Sequence, residues 1–301
     1  MSEPIALSSN RGAPVVERSN KVPLSEERSI GKYLQSVRRL SEDQLARIGE
    51  HQRLTGLRFG EAAVALNMVT EGEVLWALSQ QFDYPMADAR EAISPELVVA
   101  TDPLSRAAEV FRDLRSQLVM GVMNPKASKR GLVLVGAERE AGCTFFAVNL
   151  ALSFSQMGAR TLLIDANLRK PRVHRLLKVN PDRGLSSVLM GRMPFGADRP
   201  LKAFPGLHVL PAGVVPPNPL ELLQSASMDV LLNDALAHFD FVLLDTPAHA
   251  LGADARVIAS KAGAAMVVGR RAQSPLGELK RLVQALGRPP VALAGLVMNE
   301  A

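Results

Sequence analysis

Six apolar runs alternate with stretches of helical composition, and this alternation constrains the fold more than any other feature of the chain. The runs are GLVLVG, RTLLID, LHVL, DFVLLD, GAAMVVG and VALAGLVM, at 131–136, 160–165, 207–210, 240–245, 263–269 and 291–298. Helix-compatible stretches lie between them, at 143–157, 219–237 and 275–286. Continuous apolar strands separated by helices are typical of a parallel sheet. The sequence therefore predicts an α/β domain with helices on both faces of a parallel sheet.

The composition excludes several classes of protein. One cysteine in 301 residues excludes an intramolecular disulfide framework and a cysteine-rich metal site. Aromatic residues make up 4% of the chain, which argues against a stacking surface, and we expect no nucleic-acid partner. No apolar run has the length of a membrane span or signal peptide, which predicts a cytoplasmic protein. The net charge of +5 suits an acidic protein, a phosphate ligand or an anionic membrane surface equally.

The first 104 residues divide into three segments of different composition. Residues 1–28 are rich in Ser, Pro, Asn and charge, which predicts a disordered tail. Residues 29–85 hold a repeat with an offset of 29 residues, in which Ser41-x-x-Gln44 and Thr70-x-x-Glu73 occupy matching positions. That pattern caps a helix N-terminus, so each repeat predicts two short helices and the pair a small all-α repeat domain. Residues 86–104 are interpreted as a linker to a domain at 105–301.

A loop of small and charged residues joins the first apolar run to a helical stretch. Residues 137–144, AEREAGCT, match the phosphate-binding pattern A/G-x-x-x-x-G-K-S/T except at its lysine, where Cys143 stands. Such loops hold phosphate with backbone N–H groups at a helix start. The predicted nucleotide-binding residues are Ala137, Arg139, Glu140, Ala141, Gly142, Cys143 and Thr144.

Two aspartates end later apolar runs. Asp165 closes LLID and Asp245 closes FDFVLLD. In parallel α/β sheets, ligands bind at the carboxyl ends of the strands, so both carboxylates should lie near the loop. Thr144, Asp165 and Asp245 are the candidate Mg²⁺ ligands, and the two aspartates are the candidate catalytic residues if the protein is an active enzyme.

Residues 105–301 resemble the P-loop tyrosine kinases of bacterial exopolysaccharide and capsule export, which are relatives of the partitioning ATPases. The segments that carry the resemblance are LLIDANLRKPRVH, RGLSSVLMG, LPAGVVPPNPLELLQSASM, FDFVLLDTP and GADAR. The resemblance implies a P-loop NTPase-like sheet and ATP or ADP with Mg²⁺ as cofactor. It also implies a transmembrane chain-length determinant, or co-polymerase, as partner, which would place the protein at the inner membrane.

One segment of the resemblance concerns assembly. In EVFRDLR, Glu109, Arg112 and Arg115 match the E-x-x-R-x-x-R pattern that builds a ring of subunits in that family. The resemblance therefore implies self-association, or a mixed ring with an active relative.

Residues 29–85 resemble the N-terminal module of type II secretion and pilus ATPases, the MshEN type. Some modules of that type bind cyclic di-GMP through paired motifs. The second repeat keeps Arg58 and Gly60 of the motif, whereas the first has Ser29 in place of the arginine. The resemblance therefore favours a protein-docking module, with cyclic di-GMP as an alternative ligand.

The departures from the kinase pattern fall on the chemistry. Cys143 lacks the positive charge of the lysine that it replaces, and a thiolate there would repel phosphate. A thiol at a helix N-terminus is also a candidate for a depressed pKa and sensitivity to oxidants. Asn167 replaces the second aspartate of LLIDADLRRP, and an amide cannot take up a proton. The family's C-terminal tyrosine cluster is also missing, since Tyr33 and Tyr84 lie in the N-terminal half.

These departures favour a pseudokinase that acts by binding its partner. Two alternatives stay open. In the first, the chain is an active kinase or ATPase in which Arg139 supplies the missing charge, since arginine also pairs with phosphate. In the second, the chain is a positioning switch like the septum-site and plasmid-partitioning ATPases, although the E-x-x-R-x-x-R and PPNP segments belong to the polysaccharide kinases.

Overall fold

The computed structural model describes residues 30–38, 40–81, 93–194, 196 and 199–300. The tail predicted at 1–28 and the linker residues 86–92 lie outside the described residues. The chain divides into two compact units, with the boundary between Gln81 and Phe82. Among the helices that the structure describes, none combines the length and the apolar character that crossing a bilayer requires.

The first unit consists of four helices. They are α1 (Ile30–Arg38), α2 (Glu42–Thr55), α3 (Phe59–Ala65) and α4 (Glu71–Gln81). The core between them is formed by Leu34, Leu40, Ile48, Ala62, Ala63, Val69 and Ala77. The predicted pair of helices in each repeat is confirmed.

Both predicted capping boxes of this unit are present. The Ser41 N–H donates to Gln44 Oε1 at 2.9 Å, and the Gln44 N–H donates to Ser41 Oγ at 3.2 Å. The Thr70 N–H donates to Glu73 Oε2 at 2.8 Å, and the Glu73 N–H donates to Thr70 Oγ1 at 3.3 Å. Each box satisfies N–H groups that the first turn of a helix leaves unpaired, which fixes where α2 and α4 begin.

The second unit is a seven-stranded sheet with helices. Its strands are β1 (Gly131–Gly136), β2 (Thr161–Asp165), β3 (Arg199–Leu201), β4 (Phe204–Leu210), β5 (Phe241–Asp245), β6 (Gly263–Arg270) and β7 (Ala292–Asn299). Its helices are α5 (Val98–Thr101), α6 (Arg106–Met120), α7 (Cys143–Gln156), α8 (Val173–Leu177), α9 (Leu185–Leu189), α10 (Pro219–Gln224), α11 (Ala226–His238), α12 (Asp254–Ala262) and α13 (Leu276–Leu286), with a 3₁₀ turn at His249–Leu251. The strand order is β3-β4-β2-β5-β1-β6-β7, and every neighbouring pair is parallel except β3–β4. The predicted α/β fold class is confirmed.

Two apolar layers cover the two faces of the sheet. Side chains alternate across a strand, so Leu132 and Leu134 enter one layer, while Val133 and Val135 enter the other. All residues of β1, β2 and β5 are buried, which explains why their sequences are continuously apolar. Helix α7 is buried from Phe146 to Gln156, and it holds the loop before it against the sheet.

Three details differ from the sequence prediction. The described part of the predicted linker, residues 93–104, is not extended: it contains α5, and Leu97, Val99 and Ala100 are fully buried in the core of the sheet unit. The short apolar run LVVA gave no helical period from which this packing could be read. The helix predicted at 219–237 is broken at Ser225 into α10 and α11, and the antiparallel strand β3 was not predicted.

Candidate functional site

The loop at 137–144, hereafter the phosphate loop, connects β1 to α7 at the carboxyl edge of the sheet. Two of its residues have left-handed backbone conformations, Glu140 with φ 65° and Gly142 with φ 87°. Glycine is favoured at 142 because its φ of 87° is one that other residues rarely adopt, and a Cβ there would also displace the side chain of Asn299. The unpaired backbone N–H groups of the first turn of a 14-residue helix therefore lie beside this loop, which is an anion-binding arrangement.

Asn299 braces the phosphate loop from the end of β7. Its Nδ2 donates to the carbonyl oxygen of Ala141 at 3.3 Å. Asn299 is not among the site residues predicted from the sequence. The one signal that could have found it is its position at the end of a predicted strand, at the same sheet edge as the loop.

Asp165 and Asp245 are neighbours on adjacent strands, since they pair in the register of β2 and β5. Both are fully buried. Asp165 accepts hydrogen bonds from the N–H groups of Asn167, Arg172 and Val173 at 3.2, 3.2 and 3.1 Å. The structure therefore brings together the phosphate loop and both predicted carboxylates.

Thr144 connects the loop to Asp245. Its Oγ1 donates to Asp245 Oδ2 at 2.6 Å, whereas Asp245 Oδ1 is buried without a hydrogen-bond partner. An orphaned, buried carboxylate oxygen beside a hydroxyl and a second carboxylate is suited to a hard cation. Thr144, Asp165 and Asp245 thus fit Mg²⁺ held jointly with phosphate and water. Within the described ranges, no cluster of three or more His, Cys, Asp or Glu side chains forms a metal site of its own.

Burial raises the pKa of both carboxyl groups. The pKa of Asp165 rises from 3.8 to about 7, since desolvation outweighs the three backbone hydrogen bonds that favour its charged form. The pKa of Asp245 is raised well above its usual range, first by desolvation and then by the charge of Asp165. At neutral pH the two carboxyl groups together carry less than two full negative charges. A bound cation would favour the charged form of both groups.

Cys143 begins α7 at the position of the missing lysine, and its side chain is half-buried. Burial raises the pKa of its thiol well above 9.0, and the charge of Asp245 raises it further. The expected depressed pKa is therefore wrong. Desolvation and the nearby carboxylate outweigh a backbone hydrogen bond with Gly136, which lowers the pKa, so the thiol is neutral at pH 7. A neutral thiol does not repel phosphate as a thiolate would, and it gives no reason to expect sensitivity to oxidants.

Three charged side chains precede Cys143 in the phosphate loop. Arg139 and Glu140 are exposed, while Glu138 is half-buried and its Oε1 has no hydrogen-bond partner. One guanidinium against two carboxylates gives residues 137–144 a net charge of −1. Arg139 is accessible to a phosphate, but the charged side chains of the loop taken together oppose one electrostatically.

Asn167 shapes the segment after β2. Its Oδ1 accepts from the Lys170 N–H at 3.0 Å, and its own N–H donates to Asp165. The side chain therefore has a structural role at the place where the family pattern has a second aspartate.

An ion pair links two segments that the sequence analysis quoted separately. Arg169 donates from Nε and Nη2 to the two carboxylate oxygens of Asp254, at 3.1 and 3.0 Å. The Asp254 side chain is 1% exposed and that of Arg169 is 35% exposed. The pair ties the segment after β2 to the start of α12.

Arg169→Ala is expected to lower the free energy of unfolding by about 2 kcal/mol, because it leaves a buried carboxylate without its partner at a site that solvent partly reaches. Urea unfolding measures the change. The matched control is Arg172→Ala, whose partner Glu96 is half-exposed and whose loss should cost less than about 1 kcal/mol. Equal losses in both variants would contradict the assigned role of Arg169.

The predicted assembly residues lie on α6. Arg112 pairs with Glu109 and donates to the carbonyl of Pro103 at 2.7 Å, while Arg115 donates to the carbonyl of Ser153 at 2.6 Å. The Glu109 side chain is 58% exposed and that of Arg112 is 21% exposed. Both arginines hydrogen-bond within their own chain, and Glu109 has the most exposed side chain of the three.

Comparisons with known proteins identify similar sequences. The chain is 31% identical over 203 residues to the tyrosine-protein kinase YwqD of Bacillus subtilis, covering 67% of this chain and 85% of YwqD. It is 33% identical over 204 residues to the tyrosine-protein kinase wzc of Salmonella typhimurium, covering 68% of this chain. That match spans 28% of wzc, so the chain corresponds to less than a third of such relatives. No protein-family model matches the chain.

Solved structures of tyrosine kinases are also similar to this chain. The kinase domain of the Escherichia coli tyrosine kinase ETK aligns with a TM-score of 0.66 at 32% identity, over 71% of this chain and 83% of that domain. The chimerical protein CapA2B2 aligns with a TM-score of 0.64 at 27% identity, over 74% of this chain and 97% of that protein. The septum-site protein MinD of Pyrococcus horikoshii, at 22% identity, shares the fold. The chain therefore belongs to the family of bacterial tyrosine-protein kinases.

Proposed function

We propose that this chain is a pseudokinase that regulates the length or export of an exopolysaccharide by binding a membrane co-polymerase. One observation carries the proposal: the neutral, half-buried thiol of Cys143 occupies the lysine position of an otherwise intact phosphate loop. Phosphoryl transfer depends on positioning and on neutralising the phosphate charge. A loop with a net charge of −1 and no lysine supplies the positioning without the neutralisation.

The rest of the site supports binding without efficient chemistry. The loop amides, Thr144, Asp165 and Asp245 would hold Mg²⁺ with ATP or ADP, and the ion would supply charge neutralisation at the phosphates. Asn167 offers no base, because its amide oxygen accepts the Lys170 N–H and an amide does not take up a proton. Nucleotide binding without turnover is the outcome that these residues favour.

The surfaces of the chain would then carry the function. Exposed Glu109 with Arg112 and Arg115 on α6 would form the contact between subunits of a ring, either of this chain alone or mixed with an active kinase. The four-helix unit would act as a docking module, with cyclic di-GMP as an alternative ligand. Binding to the co-polymerase would bring the protein to the inner face of the membrane.

The test is to replace the gene with one encoding Asp245→Asn and to measure the size of the polymer on gels. A regulator that acts by docking should keep the wild-type size distribution, because the substitution removes a magnesium ligand and leaves the surfaces unchanged. A gene deletion and Glu109→Arg, which reverses an exposed charge at the proposed ring contact, should both alter the distribution. If a folded Asp245→Asn protein behaves like the deletion, the magnesium and nucleotide site is required, and the proposal that the surfaces carry the function by docking is wrong.

Arg139 supports a second candidate, an active kinase or ATPase, because it is exposed in the loop and carries the only positive charge there. Release of phosphate from ATP by the purified chain, abolished by Arg139→Ala, would establish it.

A further inference from the structure

We propose that the sheet unit also binds the surface of an anionic membrane directly, through a patch that the kinase site does not use. The basic–apolar patch consists of Met190, Val214, Val215, Arg183 and Arg192. It is formed by residues 183–192, which include α9, and by the loop that follows β4.

Hydrogen bonds hold these two segments side by side. The Leu185 N–H donates to the carbonyl of Pro211 at 2.7 Å, and the Ser186 N–H donates to that of Ala212 at 2.9 Å. Gly184 makes the approach possible, since a Cβ there would lie 2.1 Å from the Pro211 oxygen. The patch is therefore a fixed surface and not two independent loops.

The apolar side chains of the patch project into solvent. Val214 is 67% exposed, Val215 is 52% exposed and Met190 is 38% exposed. Pro216 and Pro217 follow directly and restrict the backbone, so little conformational freedom is lost when the loop tip inserts. Apolar side chains on a restrained tip gain free energy when they leave water for the headgroup boundary of a bilayer.

The charges around this tip select an anionic surface. Arg183 and Arg192 are exposed. The backbone N–H of Arg192 donates to the carbonyl of Ser187 at 2.9 Å, and this hydrogen bond keeps the backbone of Arg192 beside α9. The segment 173–192 contains four basic side chains and one acidic side chain, Asp182. Glu221, in the first turn of α10, is also exposed. Basic residues that flank exposed apolar ones are typical of proteins that lie on anionic lipid.

The patch lies at the functional edge of the sheet. Strand β4 is separated from β1 by β2 and β5, so its carboxyl end is about 14 Å from the phosphate loop at the usual strand spacing. Contact through the patch would turn this edge toward the lipid. Such binding needs neither a nucleotide nor a co-polymerase, so its failure would be distinct from that of the proposed function.

The test is co-sedimentation of the full chain with vesicles of phosphatidylglycerol and phosphatidylcholine in equal parts, and with vesicles of phosphatidylcholine alone. We expect binding to the anionic vesicles that weakens with added salt. Arg183→Glu with Arg192→Glu should reduce it by at least about 30-fold, since each basic side chain near an anionic surface contributes about 1 kcal/mol and the two carboxylates add repulsion. Val214→Asp with Val215→Asp should reduce it by about tenfold or more.

The matched control is Val230→Asp, which changes a valine that is 68% exposed on α11, outside the patch. It should bind as the wild type does, and circular dichroism should show every variant folded. Equal binding to both vesicle types, no binding to either, or binding unaffected by the patch variants would overturn the proposal. Displacement by millimolar glycerol phosphate would also overturn it, because it would indicate a free-anion site and not a membrane surface.

Discussion

Cys143→Lys is expected to raise the affinity of the chain for Mg-ADP by about 100-fold. The wild-type thiol is neutral, because burial and the charge of Asp245 raise its pKa. A lysine at the start of α7 would add a charge-assisted hydrogen bond to phosphate, which contributes about 1.5 to 3 kcal/mol. The ammonium group would also lie near the buried carboxyl groups and favour their charged, cation-binding forms.

Calorimetric titration with Mg-ADP measures this gain. The matched control is Cys143→Met, which lengthens the side chain without adding charge, and whose affinity should stay near that of the wild type. Wild-type binding as tight as that of Cys143→Lys would mean that another group already supplies the charge. Arg139→Ala would then identify that group and support the active-enzyme alternative.

Asp245→Asn is expected to raise the free energy of unfolding above pH 7 by about 3 kcal/mol, the scale of the cost of a buried, uncompensated charge. Asp245 is fully buried, and its Oδ1 has no partner. An asparagine can still accept the hydrogen bond from Thr144, and it removes the repulsion between Asp245 and Asp165. Asp245, a candidate magnesium ligand, thus lowers the free energy of unfolding of the metal-free chain.

The same substitution should flatten the dependence of stability on pH. Asp165 has a pKa of 3.8 when unfolded and about 7 when folded, and the pKa of Asp245 is raised in the same direction. Between these values the folded chain binds more protons than the unfolded chain, so stability falls as the pH rises from about 4 to about 7. The loss is complete above the folded pKa.

Thermal or urea unfolding across this pH range, without magnesium, provides the measurement. The matched control is Asp113→Asn, an exposed aspartate on α6, which should follow the wild-type curve. A wild-type stability that rises with pH through this window, or an Asp245→Asn curve parallel to it, would contradict the raised pKa values.

Much of the architecture follows from local sequence. The strands are visible as apolar runs because both faces of the sheet are covered, so a central strand has no solvent-facing position. The capping boxes at Ser41 and Thr70 are visible because their hydrogen bonds join residues three positions apart. Asp165 and Asp245 are visible as neighbours because parallel strands bring their carboxyl ends to one edge.

Other features depend on residues that are distant in the chain. Asn299 contacts Ala141 across 158 positions, and Arg169 contacts Asp254 across 85. The burial of α5 depends on its contact with α7, where Val99 donates to Asn149. Arg169 and Asp254 each lie in a recognisable motif, but neither motif, and no periodicity around the other residues, indicates which distant residue is the partner.

The sequence by itself determined the fold class, the position of the phosphate loop and the replacement of its lysine by Cys143. Only the tertiary structure decided the chemical state of that replacement. A pKa is set by desolvation and by charges that lie nearby in space, and these are known only when β1, β2, β5 and α7 have packed together. The loop therefore carries a neutral thiol where the position at a helix N-terminus suggested a thiolate.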